Sequence, residues 1–365
     1  MNKLKVCVYA ICKNEEKFVD RWVDSMCEAD IIIVTDTGST DNTVEKLRQR
    51  GVTVYINVIK PWRFDKARNS CLEQIPGDVD ICVSTDLDEV FEAGWRENLE
   101  KSWIEGATRA NYYYAWSFCP DGTPGVTFHY DRIHSRQGYK WVNPVHECLS
   151  FIGDGVEKFV WCPYVRLLHY PDSSKDRSSY LTLLELAVAE RPEDPRNYHY
   201  LGREYMFAGM WNECIENLKK HLSLPNSCWK EERSASMRFI ARAFKAQVNY
   251  IEAKSWLYKA IAETPYLREP YVEMAKLMYE DKDWAGIYHM VMEALKIKER
   301  STYINDAWCW DYTIYDLGAL ACYYLGLTGA SLEYAQIALE MSPNDERLKS
   351  NYEIIKNLKN QKKRE

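Results

Sequence analysis

No stretch of this chain approaches the run of about 20 apolar residues that a membrane span requires, so no integral membrane association is expected. The amino terminus has no signal-peptide pattern either. Its apolar run is short and is interrupted by Lys13-Asn14-Glu15-Glu16. There is no excess of basic residues: the net charge is −7, whereas a nucleic-acid binder shows a basic face, so no nucleic-acid partner is expected. An anionic substrate is still compatible with that charge, because a bound divalent cation reverses the local field. The twelve cysteines contain no Cys-x-x-Cys pair, and several (Cys7, Cys82, Cys322) fall inside apolar patterns. They read as reduced, buried thiols of a cytoplasmic protein, without a zinc site.

What is present is an ordinary globular composition, 46% hydrophobic, over 365 residues, enough for two domains with separate cores. The two halves carry different periods. Residues 1 to 172 alternate strand-like and helical segments: strands at Val6–Ile11, Ile31–Thr35, Val52–Ile59 and Asp80–Thr85, helices at Glu15–Cys27, Asn42–Arg50 and Asp65–Gln74. That alternation predicts a mostly parallel sheet with helices on both faces. The aromatic-rich segment 107–170 is expected to complete the same sheet and the acceptor side of a cleft.

Residues 173 to 365 are helical, with small and apolar residues recurring about every 34 positions. Leu201-Gly202, Tyr205, Leu218 and Pro225 set the phase, and Ile240-Ala241, Phe244, Ala253, Leu257, Ala260 and Pro265 repeat it. Met274-Ala275, Met278 and Ala294 give a third copy, and Leu317-Gly318, Ala335, Ala338 and Pro343 a fourth, slipped copy. Small residues at fixed positions let paired helices approach, and each proline ends a unit. The pattern resembles tetratricopeptide repeats. The Lys-rich end from Lys356 is expected to fray.

Chemistry concentrates in the first half. Asp86-Leu87-Asp88 follows the strand Ile81-Cys82-Val83-Ser84-Thr85. Two carboxylates one residue apart at the carboxyl end of a strand suit Mg²⁺ or Mn²⁺, and the open end of an α/β sheet is where ligands bind. The loop Asp36-Thr37-Gly38-Ser39-Thr40-Asp41 lies between a strand and a helix, with Asp41 or Thr40 as its N-cap. Asp65 and Arg68 stand three positions apart on one helix face and invite an ion pair.

Read in order, Ala10-Ile11-Cys12-Lys13-Asn14-Glu15, Asp36 to Asp41, Phe64 to Asn69 and Asp86-Leu87-Asp88 resemble family-2 glycosyltransferases of the GT-A fold, over roughly residues 4–170. Trp141-Val142-Asn143-Pro144-Val145-His146-Glu147 and Leu168-His169-Tyr170 narrow the resemblance. They point to a subgroup with a short GT-A domain fused to tetratricopeptide repeats, which includes glycocin S-glycosyltransferases and protein glycosyltransferases. One departure stands out. Where relatives show Arg-x-Phe-Arg, this chain has Arg132-Ile133-His134-Ser135, so acceptor or sugar preference along that wall is expected to differ.

The resemblance implies a UDP-sugar donor and a divalent metal, Mn²⁺ or Mg²⁺. It places Ala10, Ile11, Asn14, Glu15, Asp36, Arg68, Asp86 and Leu87 along the donor. Asp36 would read the uracil imide, with Thr37 next to it as the other candidate. Arg68 would meet phosphate oxygens. Asp88, Asp86 and His169 would hold the metal, the histidine tilting the choice toward Mn²⁺. Glu147 is the first candidate for the general base and His146 the second, with Glu89 a third; a closed cleft would raise a carboxylate's pKa toward a useful range. Tyr112, Tyr113, Tyr114, Trp116 and Trp141 would stack on a sugar or fill the core. The expected activity is metal-dependent, inverting transfer of glucose or N-acetylglucosamine to a hydroxyl or thiol of a peptide or protein acceptor held by the repeats. The alternatives are a cell-surface glycan or lipid-linked acceptor, and a repeat scaffold with a degenerate front domain.

Overall fold

The computed structural model describes residues 3–118, 122–172, 180–300 and 302–362, with side chains to 359. The chain divides into two compact units, residues 1–187 and 188–365. The expected boundary at 172/173 adjoins residues 173–179, which lie outside the described residues.

In the first unit the order is β1 (Val6–Cys12), α1 (Val19–Met26), β2 (Ile31–Asp36), α2 (Thr43–Gln49), β3 (Thr53–Ile56), α3 (Phe64–Glu73), β4 (Ile81–Thr85) and β5 (Glu89–Phe91). Then follow α4 (Trp95–Ser102), β6 (Arg109–Ala115), β7 (Thr127–Ser135), β8 (Tyr139–Val142), β9 (Cys148–Phe151) and β10 (Phe159–His169). One 8-stranded sheet has the order β3-β2-β1-β4-β7-β6-β10-β5, and β8 and β9 form a separate hairpin. The β3-β2-β1-β4 half is parallel, as expected. The far half is mixed: β7 runs antiparallel to β4 and β6, and β5 antiparallel to β10, whereas β6 and β10 are parallel. This is the GT-A type of α/β architecture, and the aromatic segment completes the sheet as expected.

Both faces of β1 are covered, which is why its sequence is continuously apolar. Val6, Val8 and Ala10 pack into the core holding Trp22, Met26 and Trp95, while Cys7 and Tyr9 join Cys71, Leu72, Cys82 and Trp141 on the other face. The cysteines described are all free thiols. The first helix starts four residues later than expected. Asn14 has φ 56°, and the amides of Glu15 and Glu16 bond to Thr43 Oγ1 (2.7 Å) and Asp41 Oδ2 (3.2 Å) in the neighbouring loop instead of seeding a helix.

Helix α5 (Tyr180–Glu190) runs through the division point of the chain. The second unit then consists of α6 (Pro195–Phe207), α7 (Trp211–Ser223), α8 (Lys230–Ala246), α9 (Tyr250–Glu263), α10 (Glu269–Glu280), α11 (Trp284–Lys296), α12 (Thr313–Tyr324), α13 (Thr328–Met341) and α14 (Glu346–Lys362). Consecutive helices pair as hairpins, α6 with α7, α8 with α9, α10 with α11 and α12 with α13, a tetratricopeptide-like solenoid. The recurring small residues sit at the closest approaches. A Cβ added to Gly202 would lie 2.5 Å from Leu218 Cγ on α7, and Ala241, Ala253, Ala275 and Ala294 are buried. Asp194, Asn249 and Asp283 cap α6, α9 and α11 through their side chains. The fourth repeat is displaced by a long connection from α11 to α12, residues 297–312. The Lys-rich end, expected to fray, is helical to Lys362, with Ile355 buried against Ala319 and Ala335.

Candidate active site

Strands β1, β2 and β4 end side by side, and their following loops form the base of the site. Asp36 is 2% exposed and closes its own loop. Its carboxylate accepts from the amides of Gly38 and Ser39, both at 3.0 Å, from Ser39 Oγ, and from Cys12 Sγ at 3.5 Å. Asn14 ties the β1 loop to the same turn: its Oδ1 accepts from Thr40 N at 2.7 Å and its amide donates to Ser39 Oγ at 2.8 Å. Thr37 bonds back to the Cys12 carbonyl through both its amide and its hydroxyl. Ala10 is buried and Ile11 partly so, both within β1, and Glu15 is 7% exposed. These residues brace two loops against each other.

The turn after β4 carries the charged part. Leu87 points into the core, 1% exposed, so Asp86 and Asp88 turn away from it. Asp86 lies between two guanidiniums: Arg68 donates to Oδ1 at 2.8 Å and Arg132 to Oδ2 at 3.1 Å. Arg68 also donates through Nε to Glu147 at 2.6 Å, and Arg132 lies 3.7 Å from the same carboxylate. Burial works against the charge on both arginines, but Asp86 and Glu147 outweigh it and hold them protonated. The sequence-based pair Asp65–Arg68 does not form. Arg63, at the start of α3, takes Asp65 through two bonds of 3.0 and 2.8 Å, freeing Arg68 for the strand end.

Asp88 takes a different partner. Its Oδ2 lies 3.6 Å from His169 Nε2 at the end of β10, while His169 Nδ1 bonds to the Trp116 carbonyl at 3.1 Å, which fixes the ring. Burial disfavours charge on His169, but Asp88 more than offsets this and its pKa lies above the ordinary imidazole value. One carboxylate and one imidazole make an O/N donor pair that fits Mn²⁺ better than Mg²⁺. Among the described residues, no three His, Cys, Asp or Glu side chains converge as a complete metal shell, and Asp86 stays with its arginines. Glu89, 1% exposed, supports the turn from below: it accepts from Asp86 N and Tyr114 OH, each at 2.8 Å. Burial pushes its carboxyl up to about 7.

His146 has φ 50° and its ring lies 6.0 Å from that of Tyr180, edge-on. It follows that the two base candidates, adjacent in sequence, have different surroundings. Both residues are half-buried; the Glu147 carboxylate sits among guanidiniums and His146 beside an aromatic ring.

Trp141 is one of several aromatic candidates in the sequence, and its place explains Arg132. It is 1% exposed, with Arg68 at 5.0 Å and Arg132 at 5.4 Å over its ring. Its indole donates to Tyr9 OH at 2.8 Å; Tyr9 pairs with His134 Nε2 at 2.9 Å; His134 Nδ1 meets the Ser135 carbonyl at 2.8 Å. An indole only donates and a carbonyl only accepts, so the ends of this chain fix its direction and the His134 tautomer, with the proton on Nδ1. His134 is fully buried and belongs to the core. Tyr112 and Tyr114 are core as well, while Trp116 is exposed and stacks on His169 at 4.5 Å. No spacing signal marks Arg132 as a second arginine on Asp86, because the two meet only through the β4–β7 pairing.

Residues 7–139 match the model of glycosyl transferase family 2. The chain carries a family 2 glycosyltransferase domain. No curated protein matches the chain. Solved structures similar to it include MamA, at 19% identity, covering 45% of this chain and 81% of MamA, with a TM-score of 0.36. YrrB, a TPR protein with an unusual peptide-binding site, matches at 14% identity over 48% of this chain and 84% of its own, with a TM-score of 0.40. TTC0263, a thermophilic TPR protein in Thermus thermophilus, matches at 20% identity over 48% and 88%, with a TM-score of 0.33. At these scores the likenesses carry no argument of their own. The repeat character of the transferase's second unit rests on its helix hairpins and their buried small residues.

Proposed function

We propose that this family 2 glycosyltransferase is metal-dependent and inverting, moving glucose or N-acetylglucosamine from a UDP-sugar to a Ser/Thr hydroxyl or Cys thiol of a peptide or protein in the cytoplasm. Residues 1–172 would carry the transfer and residues 173–365 the acceptor. The observation behind it is the pairing of Asp88 with His169 beside the arginine-flanked Asp86, at strand ends of the unit whose residues 7–139 match family 2.

In this reading the braced loops at Asn14, Glu15 and Asp36 flank the uridine, together with the backbone of Ala10 and Ile11. Asp88 and His169 would hold Mn²⁺. When bound, the ion supplies Lewis-acid stabilisation of the charge on the departing diphosphate. Arg68 and Arg132, fixed over Trp141 and held by Glu147, present rigid donors next to Asp86 for phosphate oxygens. Fixed donors of this kind need no reorganisation as charge develops. The acceptor proton goes to Glu147 or His146, and attack comes from the face opposite the leaving group.

The test is UDP release from a panel of UDP-sugars with and without Mn²⁺, followed by intact mass of candidate acceptor proteins. A mass gain of one hexose or one N-acetylhexosamine on a polypeptide is the expected result. Neither UDP binding nor UDP release with any donor would favour the scaffold reading.

A further inference from the structure

The second unit holds a cavity of about 190 Å³ at the inner face of its first repeats, lined by Tyr200, Arg203, Glu232, Phe239, Tyr303 and Asn305 among others. From α6, His199, Tyr200 and Arg203 line it, a polar-aromatic patch on one helix face. The opposite wall comes from the connection between α11 and α12. Residues 303–306 line the cavity and are held to α8 by Asp306, which accepts from Arg238 and, at 2.6 Å, from Arg242.

Charge accounting singles out Arg203. Asp306 and Glu273 are both consumed by Arg238 and Arg242. Glu232 lies 3.6 Å from Arg196 and 3.3 Å from His221, whose ring nitrogens also meet the hydroxyls of Ser227 and Ser236. Among the described residues, Arg203 has only its sequence neighbour Glu204 as an ion-pair partner, at 3.4 Å; its side chain is 27% exposed and lies over the Tyr200 ring at 4.9 Å, and its Nε, like that of Arg238, has no hydrogen-bond partner within the protein. A guanidinium with one long ion pair keeps donors for another group, and a carboxylate matches their fork. The aromatic rings of Tyr200, Phe239 and Tyr303 offer the apolar walls that the stem of such a side chain needs. The fold already contains the same interaction one step along α8, where a non-helical segment offers Asp306 to arginines of the inner face.

We propose that this cavity is a recognition pocket for an acidic side chain of an extended peptide, with Arg203 as the reading residue. The proposal deepens the polypeptide-acceptor reading and rests on it for what the peptide is.

The test is selection of a random nonapeptide phage library against the full chain and against Arg203→Glu, with Arg203→Gln used if the reversal variant fails to fold by circular dichroism. Peptides enriched in Asp or Glu are expected from the wild type. Arg203→Glu should select Lys or Arg in their place, and Arg203→Gln should lose the acidic enrichment. A synthetic wild-type-selected peptide with its acidic residue amidated should bind about tenfold to a hundredfold more weakly by fluorescence anisotropy. No selectable peptide, no acidic enrichment, or the same enrichment with the Arg203 variants would overturn the proposal. UDP release by the wild type without any acceptor reports separately on the transferase reading, so either can fail alone.

Discussion

Glu147 in the first unit and Glu273 in the second are each 7% exposed and each shared by two arginines. In both units an aspartate completes a four-membered square, Asp86 with Arg68 and Arg132, Asp306 with Arg238 and Arg242. The chemistry of the squares is the same and their surroundings differ. The first lies at the strand ends beside the Asp88–His169 pair and over Trp141; the second fastens a connecting segment to a helix face. A buried guanidinium–carboxylate square is therefore no signature of a catalytic site. What distinguishes the first is its place at strand ends in the unit that matches family 2, since the second unit has a carboxylate–imidazole pair of its own in Glu232 and His221.

The largest expected effect breaks the Asp88–His169 pair of the first unit. Asp88→Asn should lower Mn²⁺-stimulated UDP release on the order of 10³-fold, the several kcal/mol a Lewis-acid contact supplies, with the circular dichroism spectrum unchanged. Next come the matched substitutions Glu147→Ala and Glu273→Ala. Each leaves buried arginines short of a partner and should cost roughly 3–5 kcal/mol in chemical denaturation. Only Glu147→Ala should also reduce sugar transfer when assayed well below its unfolding transition. Equal losses of transfer in both would erase the distinction between the squares.

A smaller effect is expected from Gly202→Ala, where the new Cβ meets Leu218. Overpacking of this kind costs about 1–3 kcal/mol. It should lower the unfolding midpoint of the second unit while UDP release without acceptor stays at the wild-type rate.

The smallest concerns His134, whose pKa burial lowers from 6.5 to about 3, with Arg109 and Arg136 adding to the shift. Below pH 6.5 the unfolded chain takes up a proton that the folded chain refuses, so stability falls as pH drops toward 3. Between about pH 7 and pH 5 this contribution is about 2 kcal/mol. His134→Phe should flatten that part of the stability profile, at the expense of a partner for Tyr9. An unchanged slope would mean that His134 is charged or solvated in the fold.

Much of this was legible in the chain. The parallel half-sheet followed from strand-helix alternation, and Asp86 and Asp88 were placed at a strand end by the apolar run before them. The repeats were legible because close helix packing demands small residues at fixed positions, as at Gly202 and Ala241. Partner choice was less accessible. Arg68 and Glu147 are 79 positions apart and meet only because α3 packs against the segment after β8. Local spacing favoured Asp65 for Arg68, but Arg63 is nearer and its extended backbone aims it at that carboxylate. Nor does any sequence period reveal that residues 303–306 meet α8, since they lie outside the repeating helices.

The most direct test of the central claim is calorimetric titration of UDP into the wild type, Asp88→Ala and His169→Ala, each with and without Mn²⁺. The account predicts that Mn²⁺ strengthens UDP binding to the wild type and that either substitution removes this metal-dependent gain while leaving the metal-free affinity in place. A gain of wild-type size in both variants would contradict it.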